Sequence, residues 1–166
     1  MKRNSLLPLS LGIVGLGLFL QGCASTGGGA GDTVSDVGGA RHDGARATVV
    51  RAALSQIGTR YKYGAQSPGK ALDCSALTQH AYRAAGVRIP RVSTDQRMAA
   101  TPVQPAKAQP GDLVFFKFRR GLSHVGMMVD DKRFVHASTS KKKVRLSRIN
   151  SDYWQQHLIG AGTYLN

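Results

Sequence analysis

The 166-residue chain has little cysteine and little acid: two cysteines, and nine Asp and Glu against 23 Lys and Arg, for a formal charge of +14. Two cysteines allow at most one disulfide. The charge favours polyanionic partners such as nucleic acid, anionic lipid or an acidic wall polymer. RNP-like, zinc-finger and helix-turn-helix signatures are all missing, which removes the usual grounds for a nucleic-acid partner. No glycine-rich loop follows a strand pattern, so no phosphate cradle is expected. There is no internal repeat. The longest apolar run, Leu6 to Leu20, is interrupted by Pro8, Ser10 and glycines, and is too short and too glycine-rich to favour a permanent spanning helix.

That run follows Met1-Lys2-Arg3 and ends in Leu20-Gln21-Gly22-Cys23. A basic start, an apolar middle and a small-residue end form a secretory signal pattern. The ending resembles the lipobox of bacterial lipoproteins, which implies a signal peptide over 1–22 and a lipidated Cys23 as the first mature residue. Ala24, rather than Asp, implies sorting to the outer membrane in a Gram-negative cell, with the domain facing the periplasm. Removing 1–22 takes off Lys2 and Arg3 and leaves +12. With Cys23 lipidated, Cys74 has no disulfide partner, and a lone thiol in an oxidising compartment calls for a reason. Residues 25–44 hold seven glycines and almost no large apolar residue. They read as a flexible tether, placed over 23–45, with a taut reach of about 65 Å.

Order is expected from 46 to 166. Val49, Val50, Ala53, Leu54 and Ile57 share one face of a helix, with Gly58 as its stop. Asp73 caps a second helix running from about Cys74 to Ala85, ended by Gly86. Ser93-Thr94-Asp95-Gln96 opens a third through Ala100, and 101–110, with three prolines, reads as a loop. Five strand patterns then follow, at 112–118, 123–129, 133–137, 143–146 and 157–165. Helices followed by tightly turned strands argue an α+β fold with an antiparallel sheet of about five strands.

Chemistry centres on Leu72-Asp73-Cys74-Ser75. A cysteine in the first turn of a helix faces unpaired N–H groups and the positive end of the dipole, which favour a thiolate. A buried inert cysteine is the alternative at this point. A nucleophile needs a base, and the base an orienting group. His42 lies in the tether. His80, six residues after Cys74, points about 240° away around the helix. His124 and His136 flank Asp130-Asp131-Lys132, and a hairpin centred on residue 130 sets them opposite one another on one face. If that face meets the start of the Cys74 helix, the result is Cys–His–His. Zinc on the same three residues is the competing reading, without a ligand pair at local spacing to support it.

Asp73-Cys74-Ser75, Gly111-Asp112-Leu113-Val114-Phe115-Phe116, His124-Val125-Gly126 and Phe134-Val135-His136-Ala137-Ser138, in this order, resemble the NlpC-type cell-wall cysteine peptidases, and especially the short murein endopeptidase lipoproteins. The resemblance covers about 47–165. It implies a papain-like fold and hydrolysis of amide bonds in peptidoglycan stem peptides or cross-links, involving D-amino acids and diaminopimelate. It also implies no cofactor, and Cys74 as nucleophile, His124 as base and His136 as orienter. Tyr61 matches a tyrosine lining the site, Ser75 a substrate contact, and Arg91 and Ser93 a stretch beside the groove. Ala76 and Ala65 stand where the pattern has glycine, and each methyl is expected to narrow the groove. Action as a monomer is expected. Two other outcomes remain in view: a papain-like acyl or peptidyl transferase, and a wall-binding lipoprotein without activity. The Lys141-Lys142-Lys143 run reads as a solvated turn, and Trp154 as core.

Overall fold

The computed structural model describes residues 35–121 and 123–165, without the side chains of 35–43 and 120. The expected signal peptide, Cys23 and the first part of the tether lie outside the described residues. Helix α1 (Ser35–Leu54) begins eleven residues before Arg46. Its early turns are the glycine-rich residues read as tether. Composition registers the glycines, but each glycine costs a helix only about 1 kcal/mol. Val49 and Ala53 are fully buried, whereas Ile57, beyond the helix end, is 48% exposed.

The second helix, α2 (Cys74–Ala84), starts where the Asp73 cap predicts, and Gly86 follows it with φ +77°. Helix α3 spans Ser93–Ala99. A fourth helix, α4 (Asp152–Gln155), has one turn and no expected counterpart. The strands are β1 (Arg60–Tyr61), β2 (Gln66–Ser67), β3 (Ala71–Leu72), β4 (Thr101–Val103), β5 (Leu113–Lys117), β6 (Ser123–Met128), β7 (Arg133–Ser138), β8 (Lys143–Arg148) and β9 (Leu158–Thr163). They form one sheet of nine strands in the order β2-β3-β1-β8-β7-β6-β5-β9-β4. The expected five are its contiguous middle, β8 to β9. The count of about five is corrected because β1 to β4 have two or three residues each, too short to show a period of two. The antiparallel expectation fails at one pair, since β1 and β3 run parallel.

Alternation along the central strands sorts side chains to two cores. Val125 and Met127 of β6, with Val135 and Ala137 of β7, pack on Val49, Ala53, Leu77, Ala81 and Tyr82 of α1 and α2. On the other face Val114, Phe116, Met128 and Phe134 pack with Trp154 and Leu158. Each fully buried large apolar side chain contributes about 1.5–3 kcal/mol by leaving water. The Gly111-Asp112 motif is structural. Gly111 has φ +93° and offers its carbonyl to the Tyr82 hydroxyl at 2.7 Å. Buried Asp112 pairs with Arg46 of α1 at 2.7 Å, tying that helix to β5.

Candidate active site

Asp73 organises the start of α2. Its carboxylate accepts the Ala76 N–H at 2.8 Å, the Gly64 N–H at 3.1 Å and the Ser75 hydroxyl at 3.3 Å. Arg91 grips the same carboxylate through both terminal nitrogens, at 2.6 and 3.1 Å, and donates to Ser75 Oγ at 2.9 Å. A bidentate guanidinium clamp on an N-cap holds the first helical turn, and Cys74 with it, in one orientation.

Cys74 is half-buried and free. It lines a pocket of about 590 Å³ together with His124, Tyr61, Arg91, Ser93 and Thr139. Burial pushes its thiol up, opposed by backbone N–H groups of Val125, Ser75 and Cys74 itself, while the Asp73 charge adds to the rise. Here the helix start does not win, contrary to the lowered value its dipole led one to expect. Removing a thiolate from water outweighs the N–H donors that face it. Tyr61 is likewise pushed up, by burial and then by Cys74 and Asp73, and so stays a protonated donor near the sulfur.

Both histidines are buried, on the sheet face opposite the core that α1 and α2 cover. His124, at the beginning of β6, lines the same pocket as Cys74. The hairpin register also differs from a centre at residue 130, because Val135 lies opposite Met127 and Phe134 opposite Met128. The Asp130-Asp131-Lys132 turn is centred on residue 131 rather than 130, with the Val129 N–H donating to the Arg133 carbonyl at 2.9 Å across it, so each partner lies two residues further on. A shift of two keeps parity, so His124 and His136 stay on one face as diagonal neighbours. Their rings close the gap, with His124 Nε2 2.9 Å from His136 Nδ1 and the planes at 89°. Nitrogens that close face each other with no room for a shared zinc, whose bonds to nitrogen are about 2.0–2.1 Å each.

The histidine pair has a further partner that pattern reading missed. His136 Nε2 lies 3.0 Å from Ser147 Oγ of β8. Trp154 of α4 stacks on His124 at 6.0 Å and 23° and stands edge-on to His136 at 4.9 Å. It packs on the core of this face, as expected, and covers the histidine pair as well. Burial pushes His124 down to about 4. It pushes His136 down to about 3, helped by the charges of His124 and Arg145. At neutral pH both rings are therefore neutral. If Ser147 accepts the His136 Nε2 proton, His136 Nδ1 accepts from His124, and His124 Nδ1 is left bare for the thiol.

Of the residues expected beside the groove, Tyr61, Ser75, Arg91 and Ser93 all line the Cys74 pocket. Arg91 and Ser75, however, spend their polar groups on the Asp73 network. Ala76 is 3% exposed and packs in the helix-side core. Neither it nor Ala65 lines the pocket, so their methyls do not narrow it as expected. Fully buried Gln96 was also missed. It accepts from Thr78 at 2.9 Å and donates to the Ser75 and Pro90 carbonyls at 3.0 and 2.8 Å, locking α3 to α2. No hydrophobic period could have flagged it.

Residues 58–163 match the NlpC/P60 family. Murein DD-endopeptidase MepH of Escherichia coli is 31% identical over 84% of this chain and 53% of its own length. The gamma-DL-glutamyl hydrolase of Bacillus subtilis is 35% identical over 71% and 29%. The chain thus spans about half, or less, of these relatives. Among solved structures, the peptidoglycan hydrolase RipB of Mycobacterium tuberculosis superposes with a TM-score of 0.67 at 29% identity, over 83% of this chain and 73% of that one. An NLP/P60-family protein of Staphylococcus aureus, described as similar to lipoprotein, gives 0.67 at 35%, over 75% and 42%.

Proposed function

The chain belongs to the NlpC/P60 family, and from that premise we propose that it is a cysteine endopeptidase hydrolysing amide bonds in the peptide part of peptidoglycan. One observation carries the reading: Cys74, at the start of α2, shares a pocket with His124, whose far nitrogen is bonded to His136 at 2.9 Å. Relatives named as a murein DD-endopeptidase and a gamma-DL-glutamyl hydrolase support an amide flanked by a D-residue.

The chemistry follows from the neutral resting pair. Cys74 passes its proton to His124 Nδ1 as the sulfur attacks the carbonyl carbon. The S–C bond forms, and the oxyanion is held by backbone N–H groups at the start of α2. His124 then protonates the leaving amine, and the C–N bond breaks. In the second half, water gives a proton to His124, its oxygen displaces the sulfur, and the proton returns to Cys74. His136 keeps the His124 proton on Nε2 and steadies the imidazolium, as the third group does in the serine triad. No step calls for a cofactor.

The reading extends to the cell envelope. Cys23 becomes the lipidated mature N-terminus, anchoring a monomeric enzyme in the outer membrane, where it faces periplasmic murein. Leu20-Gln21-Gly22-Cys23 followed by Ala24 is the support, and intact mass of the mature protein tests it. The decisive experiment is digestion of defined muropeptides by wild type beside Cys74→Ala, with products identified by mass. New free acids and amines with wild type alone are expected. Equal activity of Cys74→Ala would refute the mechanism, and an amine-capped product would point to transfer instead.

A further inference from the structure

A second cavity, of about 560 Å³, is lined by His124 but not by Cys74. It shares Phe118, His124 and Thr139 with the Cys74 pocket, so the two meet over the histidine. Trp154 and His157 form one wall, and Arg145, Ser138 and Ser147 form another. Its lining contains no Asp or Glu. Arg145 projects from β8 directly opposite His136 in the β7–β8 register. It is half-buried, and the four ion pairs among the described residues do not use it. Asp73 and Asp112, the buried carboxylates, are already committed to Arg91 and Arg46.

From this arrangement we propose that the second cavity is a carboxylate-binding subsite for the leaving-group side of the substrate, with Arg145 as its anion partner. The assignment of sides rests on the proposed peptidase reading. The base that protonates the departing amine must lie under that amine, so the chain beyond the broken bond continues past His124 into this cavity. The acyl side lies over α2 and Tyr61. The buried His124 and His136 rings are neutral and add no charge, so the half-buried cation of the lining is Arg145, with exposed Arg119 at the rim. A planar guanidinium in a partly dry wall of hydroxyls and indole matches a carboxylate in shape and charge. The preferred substrate therefore carries a free carboxylate close behind the scissile amide, as an acidic stem peptide does, and its amide-capped counterpart is a poorer one.

The test compares one synthetic murein stem peptide as the free acid with the same peptide as its carboxamide. Binding is measured on full-chain Cys74→Ala, and cleavage on wild type. The free acid is expected to bind about tenfold more tightly, the scale of one charge-assisted pair. Arg145→Gln in the Cys74→Ala background should bring the ratio near one, and Arg145→Lys should restore part of it. The acid-to-amide ratio within one variant cancels any general loss of fold. An unchanged ratio in Arg145→Gln, or no ratio in its parent, overturns the subsite. Discrimination without cleavage by wild type would sink the peptidase and leave the subsite standing. Cleavage without discrimination would do the reverse.

Discussion

Acidifying the solution from pH 6.5 to 4.5 should destabilise the fold steeply, and His124 and His136 set the slope. They are 5% and 2% exposed and are pushed down to about 4 and about 3 from a reference near 6.5. A folded-state value below the unfolded one means that the unfolded chain takes the proton first. Between pH 6.5 and 4 the unfolded state thus binds more protons, and stability falls as pH falls. Each histidine contributes up to about 1.4 kcal/mol per pH unit. Integrated over the two units, the pair costs roughly 4 kcal/mol, a large share of the 5–15 kcal/mol typical of a domain. Partly exposed His80, also lowered by burial, adds a little with the same sign. A drop of about 10 °C or more in melting midpoint is expected for a chain of this size. Calorimetry of Cys74→Ala across this window reads the effect before most carboxylates titrate, and His136→Gln should halve the slope. A midpoint that stays flat from 6.5 to 4.5 in Cys74→Ala would refute neutral burial of the pair. On the proposed mechanism the same neutrality keeps His124 able to accept the thiol proton well below pH 6.5, so kcat/KM should persist to about pH 5 rather than halve at 6.5.

Two substitutions test how the pair is held. Ser147→Ala strips the acceptor 3.0 Å from His136 Nε2. Orphaning that N–H favours the reversed tautomer by about 1 kcal/mol, so kcat should fall roughly fivefold, with Ser147→Thr restoring it; equal kcat in wild type and the alanine variant would remove Ser147 from the relay. Gly126→Ala places a methyl 2.5 Å from Phe134 Cδ2 and 3.0 Å from the Val135 carbonyl. Phe134 packs on Phe116, His136 and Trp154 and has little room to yield. Chemical denaturation should show a loss of about 1–3 kcal/mol, and an unaltered midpoint would mean that the strand pair gives way freely.

What could be read from the chain was what local chemistry and short spacing determine. Asp73 before a run of helix formers set the start of α2 to the residue, because a cap bonds within three positions of itself. His124 and His136 fell on one face because any even change in turn length preserves parity. The register differed by two because the centre was placed at residue 130, whereas Asp130-Asp131-Lys132 is centred on 131, and that turn sets the ladder. Beyond that range, pattern had no purchase. Four strands are too short to show a period, and α4 is one turn long. Ser147 and Arg145 belong to a strand whose partner is set by the whole sheet. The protonation of Cys74 marks the boundary most sharply. Reading outward from the cysteine, the helix dipole and its N–H groups are the only terms available, and they argue for a thiolate. Burial under Tyr61 and against β6 enters only once distant segments have packed. It reverses the sign, because losing water costs an anion more than three backbone donors return. The resting site is then a thiol and a neutral imidazole lining one pocket, and on the proposed mechanism the nucleophile is made at the moment the proton moves to His124.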